Sequence, residues 1–352
     1  DGFVQATGFD QDSSVDVQSS GDVFVNGTIN SSETNTDNNG GSIKILGNRI
    51  ALEDDAKIST SGANDGGEIL IGGNYLGKGP EPNASATVIL KGAEITADAL
   101  NSGDGGRVIV WSDDYTNFKG SITAKGTSDG KGGFVETSSK NNLQAFGNVN
   151  ASGGIGAGDW LLDPADVTIS SSTTGATFSN LFEPDTTSAT VSADSIKTTL
   201  ETNHVHITTL LSGAESDERG SITVSTSLEN INTKSTGRKL TLFASEDIFV
   251  NQPISSTGGP LNVRLMAQGD IEVNANITTA GGDFEVQGSN NEGEFDNSNP
   301  ASGSAGSFLL NTGITIDTTG SSAAAGGNVS IKTSVRSTSV NPTTDGDIDI
   351  KG

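Results

Sequence analysis

The sequence predicts a nearly all-β chain wound as a parallel β-helix, a β-solenoid whose short-stranded coils stack on one another. Three observations predict it. The first is a recurring phrase of paired glycines followed by alternating apolar residues. It appears as Gly40-Gly41-Ser42-Ile43-Lys44-Ile45, Gly66-Gly67-Glu68-Ile69-Leu70-Ile71 and Gly105-Gly106-Arg107-Val108-Ile109-Val110. Gly132-Gly133-Phe134-Val135, Gly281-Gly282-Asp283-Phe284-Glu285-Val286 and Gly326-Gly327-Asn328-Val329-Ser330-Ile331 continue it. Leading glycines are offset by 26, 39 and 27 residues in the front half and by 45 between the last two. Self-similarity at such a period marks a stacked repeat. The second observation is an intervening phrase of a small residue, an apolar residue and Ser, Thr or Ala, as in Ala56-Lys57-Ile58-Ser59, Ala93-Glu94-Ile95-Thr96 and Ser121-Ile122-Thr123-Ala124. The third is a thin interior: 80 of the 352 residues are Leu, Ile, Val or Phe, while 47 are Gly. A narrow apolar column needs few large side chains, and polar residues can tile its outside.

Taken in order, residues 1–169 read as successive coils of strands three to five residues long, alternating with period two. Glycine at the corners supplies backbone conformations that a Cβ would forbid. At about 23 residues per coil and about 4.8 Å between coils, the chain makes at most about 15 coils, a rod of roughly 70 Å. Residues 72–86, with Pro80 and Pro82, read as a surface loop. Residues 170–220 lack the paired glycines and form an excursion. Within it Ser192 caps a short helix over 193–200, with Ile196 and Leu200 four apart on one face. Strand alternation returns at His204-Val205-His206-Ile207. Residues 221–352 read as continued coils, with an acidic surface loop near 288–306.

Two segments are more specific than the repeat. One is Gly105-Gly106-Arg107-Val108-Ile109-Val110-Trp111-Ser112-Asp113-Asp114 with Phe118, Gly120, Ile122 and Ala124, completed by Gly132-Gly133-Phe134-Val135-Glu136-Thr137-Ser138. The other is Trp160-Leu161-Leu162-Asp163-Pro164-Ala165-Asp166-Val167-Thr168-Ile169. Together they resemble passenger exoproteins of bacterial two-partner secretion, the filamentous-haemagglutinin-like or high-molecular-weight adhesin family. Gly66 to Gly73 with Tyr75-Leu76-Gly77-Lys78-Gly79 looks like an upstream part of the same block. The resemblance covers residues 40–170. It departs from the family at Ser139, where glycine is expected, and Asn299-Pro300 and Asn341-Pro342 lack the asparagine that completes the family's secretion-domain motif. The resemblance implies a right-handed β-helix and a stalk fragment without that amino-terminal domain, secreted through an outer-membrane barrel partner and displayed or released at the cell surface. The expected fold is therefore all-β, a right-handed parallel β-helix with one short helix-containing excursion.

Charge and composition narrow the function. Nineteen Lys and Arg against 44 Asp and Glu give a net charge of −25, which repels nucleic acid and anionic membranes. There is no Cys, hence no disulfide framework and no thiolate chemistry. No apolar run is long enough for a membrane-spanning helix. Trp160, Leu161 and Leu162 read as a core plug. His204 and His206 share a strand face, and a metal site there would need a third ligand, for which Asp217 and Glu218 are near in sequence but read as an exposed loop. Asp345, Asp347 and Asp349 also share a face and are the candidates for a calcium site, although their setting lacks the nonapeptide calcium-binding repeat. Asn26, Asn30, Asn83, Asn150, Asn276 and Asn328 head Asn-x-Ser/Thr triplets. The resemblance makes them glycosylation candidates, but they are no more numerous than composition produces by chance.

The expected role is structural and adhesive, with no catalytic residue, no cofactor and no resident metal. Expected partners are the barrel transporter during export and then glycans or proteins of a host, a sibling cell or a matrix; rods pairing side by side are a further expectation. Two alternatives come from other classes. A polysaccharide lyase or hydrolase on this fold needs a groove with clustered, perturbed acids. An ice or crystal-surface binder needs a flat array of threonines, for which Thr60, Thr96, Thr123 and Thr137, and later Thr278-Thr279 and Thr318-Thr319, are the candidates.

Overall fold

The computed structural model describes residues 2–5, 13–35, 38–171, 180–209, 220–234, 237–288, 306–320, 325–332 and 348–350. They form a parallel β-solenoid with one α-helix. Two compact units are distinguished. The first comprises Asp1–Pro164, Ser172–Ser195 and Thr202–His204; the second comprises Ala165–Ser171, Ile196–Glu201 and Val205–Gly352.

In the first unit each coil contributes a strand to three parallel sheets. The first sheet stacks Gly2–Gln5, Gly27–Asn30, Lys57–Ser59, Glu94–Thr96, Ser121–Thr123 and Asn148–Asn150. The second stacks Ser14–Gln18, Ser42–Leu46, Glu68–Ile71, Arg107–Val110, Phe134–Thr137 and Asp159–Leu162. The third stacks Asp22–Val25, Arg49–Leu52, Ala86–Ile89, Tyr115–Phe118, Asn142–Ala145 and Ala189–Ser192. Alternation sends every second side chain inward, and in-register pairing piles those side chains into ladders. Ile69, Val108, Val135 and Trp160 form one ladder, and Ile58, Ile95, Ile122 and Val149 another. All eight are buried, and each such side chain stabilises the fold by about 1.5–3 kcal/mol relative to exposure. Trp160 is the expected plug: it is fully buried, packs edge-on at 6.4 Å against Phe118, and donates its indole N–H to Thr137 Oγ1 at 2.9 Å.

The second unit repeats the scheme. Val167–Ser170, Ile222–Val224, Ile248–Val250, Ile271–Val273, Phe308–Leu310 and Ile348–Ile350 form one parallel sheet. Leu228–Ile231, Ile254–Ser256, Ile277–Thr278 and Ile316–Asp317 form another. A third contains Arg238–Ala244, Leu261–Ala267, Phe284–Gly288 and Val329–Ile331. In the first of these sheets the inward ladder Ile222, Ile248, Ile271 and Phe308 is fully buried.

The helix is Ala193–Leu200, capped as expected by Ser192, whose Oγ accepts the Ser195 N–H at 3.2 Å, with Ile196 and Leu200 buried. Residues 172–179 and 210–219 of the expected excursion, and nearly all of the expected acidic loop at 288–306, lie outside the described residues.

Residues 72–84 are at the surface, as expected, with 78–80 and 82 exposed. They form a strap over the outer face of the second sheet, with a turn at Tyr75–Gly77 and Leu76 buried beneath it. The reason lies in the outward positions it covers: Leu70 and Ile109 are apolar where a solvent-facing sheet carries polar residues. Phe182 does the same for the third sheet, packing on Ala51, Ala86, Val88 and Tyr115 and edge-on to Phe24 at 5.8 Å.

At the corner leading into the second sheet, coils approach too closely for any side chain. A Cβ on Gly67 would stand 2.0 Å from the Gly41 carbonyl oxygen, and one on Gly105 2.0 Å from that of Ala124. Glycine is needed here for close approach. Gly67→Ala is expected to lower stability by more than about 2 kcal/mol. Gly21→Ala, where the nearest atom to an added Cβ is Ser19 Oγ at 3.8 Å, should stay within about 0.5 kcal/mol. Urea midpoints of the two variants against the parent measure the difference.

Candidate functional site

Two features of the first unit carry chemistry: a sealed pair of acids under the strap, and a groove beside it. The acids arise from adjacent coils. Glu136 sits in the strand Phe134–Thr137 at an outward position, in register with Ile109 on one side and Leu161 on the other. Asp163 follows the strand Asp159–Leu162. Both are fully buried.

The strap closes this site. Leu76, held at a positive φ of 54°, donates its backbone N–H to Glu136 Oε1 and Oε2, each at 3.2 Å. The Asp163 N–H donates to Ser138 Oγ at 3.1 Å, and Ser138 in turn bonds the Glu136 carboxyl. Neither carboxyl oxygen of Asp163 has a hydrogen-bond partner. Lys44 Nζ meets Glu81 Oε1 at 2.6 Å and Asn74 donates to Glu81 Oε2 at 2.7 Å, pinning the strap's far end. These two donors, Lys44 first, hold the Glu81 carboxyl below the usual range.

Burial pushes Glu136 up to about 8, against the opposing pull of the Leu76 N–H, the Ser138 hydroxyl and the Arg107 charge. Burial also raises Asp163 well above the ordinary carboxyl range; the Glu136 charge adds to the effect and Lys78 opposes it. Burial thus favours the neutral, protonated form of both carboxyls over the charged one. Both carboxyls are closed off from solvent.

The groove, of about 660 Å³, crosses five coils from Asn39 to Asp159. Its floor is glycine: Gly40-Gly41, Gly66-Gly67, Gly105-Gly106 and Gly132-Gly133. One wall consists of the first residues of the second-sheet strands, including Glu68, Arg107, Phe134 and Asp159, stacked by register. Asp104 and Lys131 stand on the other. Arg107 Nη1 pairs with Glu68 Oε1 at 3.0 Å and its guanidinium lies 5.5 Å from the Tyr75 ring centre, while Tyr75 meets Phe134 edge-on at 5.7 Å. The strap thus contributes an aromatic side chain behind the groove wall.

In the sequence Glu136 and Asp163 stand out only as parts of the two family-like motifs. The readable signal was a glutamate standing where the neighbouring coils carry Ile109 and Leu161. His206 is buried and His204 half-buried on the strand His204–Thr208. Among the described residues, no group of three or more His, Asp or Glu could hold a metal ion. Asp345 and Asp347 lie outside the described residues, and Asp349 falls in the strand Ile348–Ile350. Of the glycosylation candidates, Asn26, Asn276 and Asn328 are exposed, and Asn30, Asn83 and Asn150 half-buried. Asn83 already donates from Nδ2 to Gly77 O and to Asp113 Oδ1, each at 3.0 Å. Thr60 and Thr137 are buried, so no surface threonine array includes them. Ser139, at the departure from the family pattern, is buried with its Oγ 3.4 Å from Ser112 Oγ.

A carboxyl whose proton is held more tightly when folded stabilises the fold fully below its unfolded value, and that stabilisation is lost as pH rises through the folded value. Stability is therefore expected to fall between about pH 4.5 and 8 through Glu136, with Asp163 acting in the same direction. Melting temperature followed across that range should show the decline, and Glu136→Gln should flatten it. No protein-family model matches the chain, and no curated protein matches it in sequence.

Proposed function

We propose that this chain is a stalk segment of a secreted bacterial surface exoprotein, structural and adhesive in role, exported by two-partner secretion. The observation that supports this reading most is the pairing rule of the fold: within each unit, strands bond to the equivalent strands of neighbouring coils. A chain leaving a narrow barrel can add coil to coil without waiting for distant segments. The absence of Cys removes the hazard of premature cross-links in an oxidising compartment. The motifs around Trp111, Glu136 and Trp160 add the resemblance to passenger exoproteins.

In this reading the chain projects a further module and offers its own flanks to glycans or proteins of a host, a sibling cell or a matrix. It acts by binding rather than by catalysis. General acid–base chemistry requires acids within reach of a reacting bond, and Glu136 and Asp163 are closed off from solvent. Among the described residues no helix is long and apolar enough to cross a membrane.

Antibodies raised against the purified chain should label intact cells of the producing organism, and deletion of the neighbouring barrel transporter gene should abolish the labelling. Antigen confined to the cytoplasm, or surface label indifferent to that deletion, would sink the proposal. Polysaccharides incubated with the chain should yield no new reducing ends.

A further inference from the structure

We propose that the glycine-floored groove of the first unit binds an extended, uncharged polysaccharide, with Phe134 as a stacking platform and Glu68, Lys131 and Asp159 bonding its hydroxyls. The inference rests on the adhesive reading above and gives it a site and a ligand class.

Shape comes first. Five coils at about 4.8 Å make the groove roughly 19 Å long, the span of a short oligosaccharide rather than of one sugar. The floor presents the same glycine backbone at successive coils, which suits a ligand that itself repeats. Chemistry then selects among polymers. A nucleic acid or sulfated glycan would meet the Glu68, Asp104 and Asp159 carboxylates on a chain of net charge −25.

A peptide adding as a β-strand needs unpaired backbone donors, and the glycines of the floor have none to give. The Gly40, Gly66, Gly105 and Gly132 N–H groups donate to Asp65, Asp104, Lys131 and Gly156 carbonyls. Those of Gly41, Gly67, Gly106 and Gly133 donate to Ser31, Thr60, Ala97 and Ala124 carbonyls. A lipid would want apolar walls, and these are largely charged.

A neutral sugar chain fits each part. Its hydroxyls take bonds from the Lys131 ammonium and give them to carboxylates. Its C–H faces can lie on the half-buried Phe134 ring, which Tyr75 supports edge-on at 5.7 Å.

The test is isothermal titration calorimetry of the purified chain with cellohexaose, N-acetylchitohexaose and a heparin hexasaccharide. Saturable binding of at least one neutral hexaose is expected, with none for heparin. Affinity should fall at least fivefold in Phe134→Ala and in Lys131→Ala, and stay unchanged in Phe24→Ala, a control at an exposed ring on the third sheet. Lys131 is exposed, so its variant provides a folded comparison should loss of Phe134 disturb the strap; circular dichroism melts establish folding. The inference is overturned if neither neutral hexaose binds, if heparin binds as well, or if folded variants bind like the parent. That outcome would leave the surface-labelling result standing, which separates failure of the ligand assignment from failure of the adhesin reading.

Discussion

Parallel backbone pairing fixes neighbouring coils at about 4.8 Å, and the remaining features of each unit accommodate that spacing. Inward side chains at equivalent positions touch along the stack, so ladders of Ile and Val, with Trp160 and Phe308 at their ends, fill the column. Corners crowd, and at Gly67 and Gly105 only hydrogen fits. The same spacing gives acidic side chains a structural task. Asp65 Oδ1 accepts the Asp104 N–H at 2.8 Å, and Asp104 Oδ1 accepts that of Lys131 at 2.7 Å. In the second unit Asp247 Oδ1 accepts the Asp270 N–H at 2.7 Å and Asp270 Oδ1 that of Ser307 at 2.6 Å. Part of the acidic composition thus satisfies backbone donors at corners where no strand partner is available.

Outer faces divide into those that meet water and those that are covered. Where Leu70, Ile109 and Glu136 stand on the second sheet of the first unit, the strap lies over them; where Ala51, Val88 and Tyr115 stand on the third, Phe182 does. Covering has a consequence for Glu136. Its position in the coil makes it an outward residue, and the strap makes it a buried one. The carboxyl keeps its proton because the Leu76 N–H and the Ser138 hydroxyl compensate only part of the lost hydration. The strap's Tyr75 also backs Phe134, so one insertion both seals the acids and shapes the neighbouring groove wall.

Much of the architecture was legible. Paired glycines marked the corners, the apolar triplets after them became the second-sheet strands, and Ser192 with Ile196 and Leu200 marked the helix. These features are local: alternation, capping and close approach depend on residues near in sequence or one coil away. Pro80, Pro82 and several glycines mark the surface loop, but not what it covers, because the apolar residues beneath it are on strands of other coils. Glu136 and Asp163 are one coil apart, but their burial depends on the strap that closes over them, which the spacing does not reveal.

The sequence by itself determined the repeat, the parallel stacking and the sites where glycine is required, because in-register pairing translates spacing along the chain directly into height along the stack. Only the tertiary structure decided which outward faces are wet. That choice depends on where the insertions at 72–84 and 180–188 come to rest. With it go the proton held by Glu136 and the aromatic wall of the groove, since desolvation is a property of surroundings gathered from several coils at once.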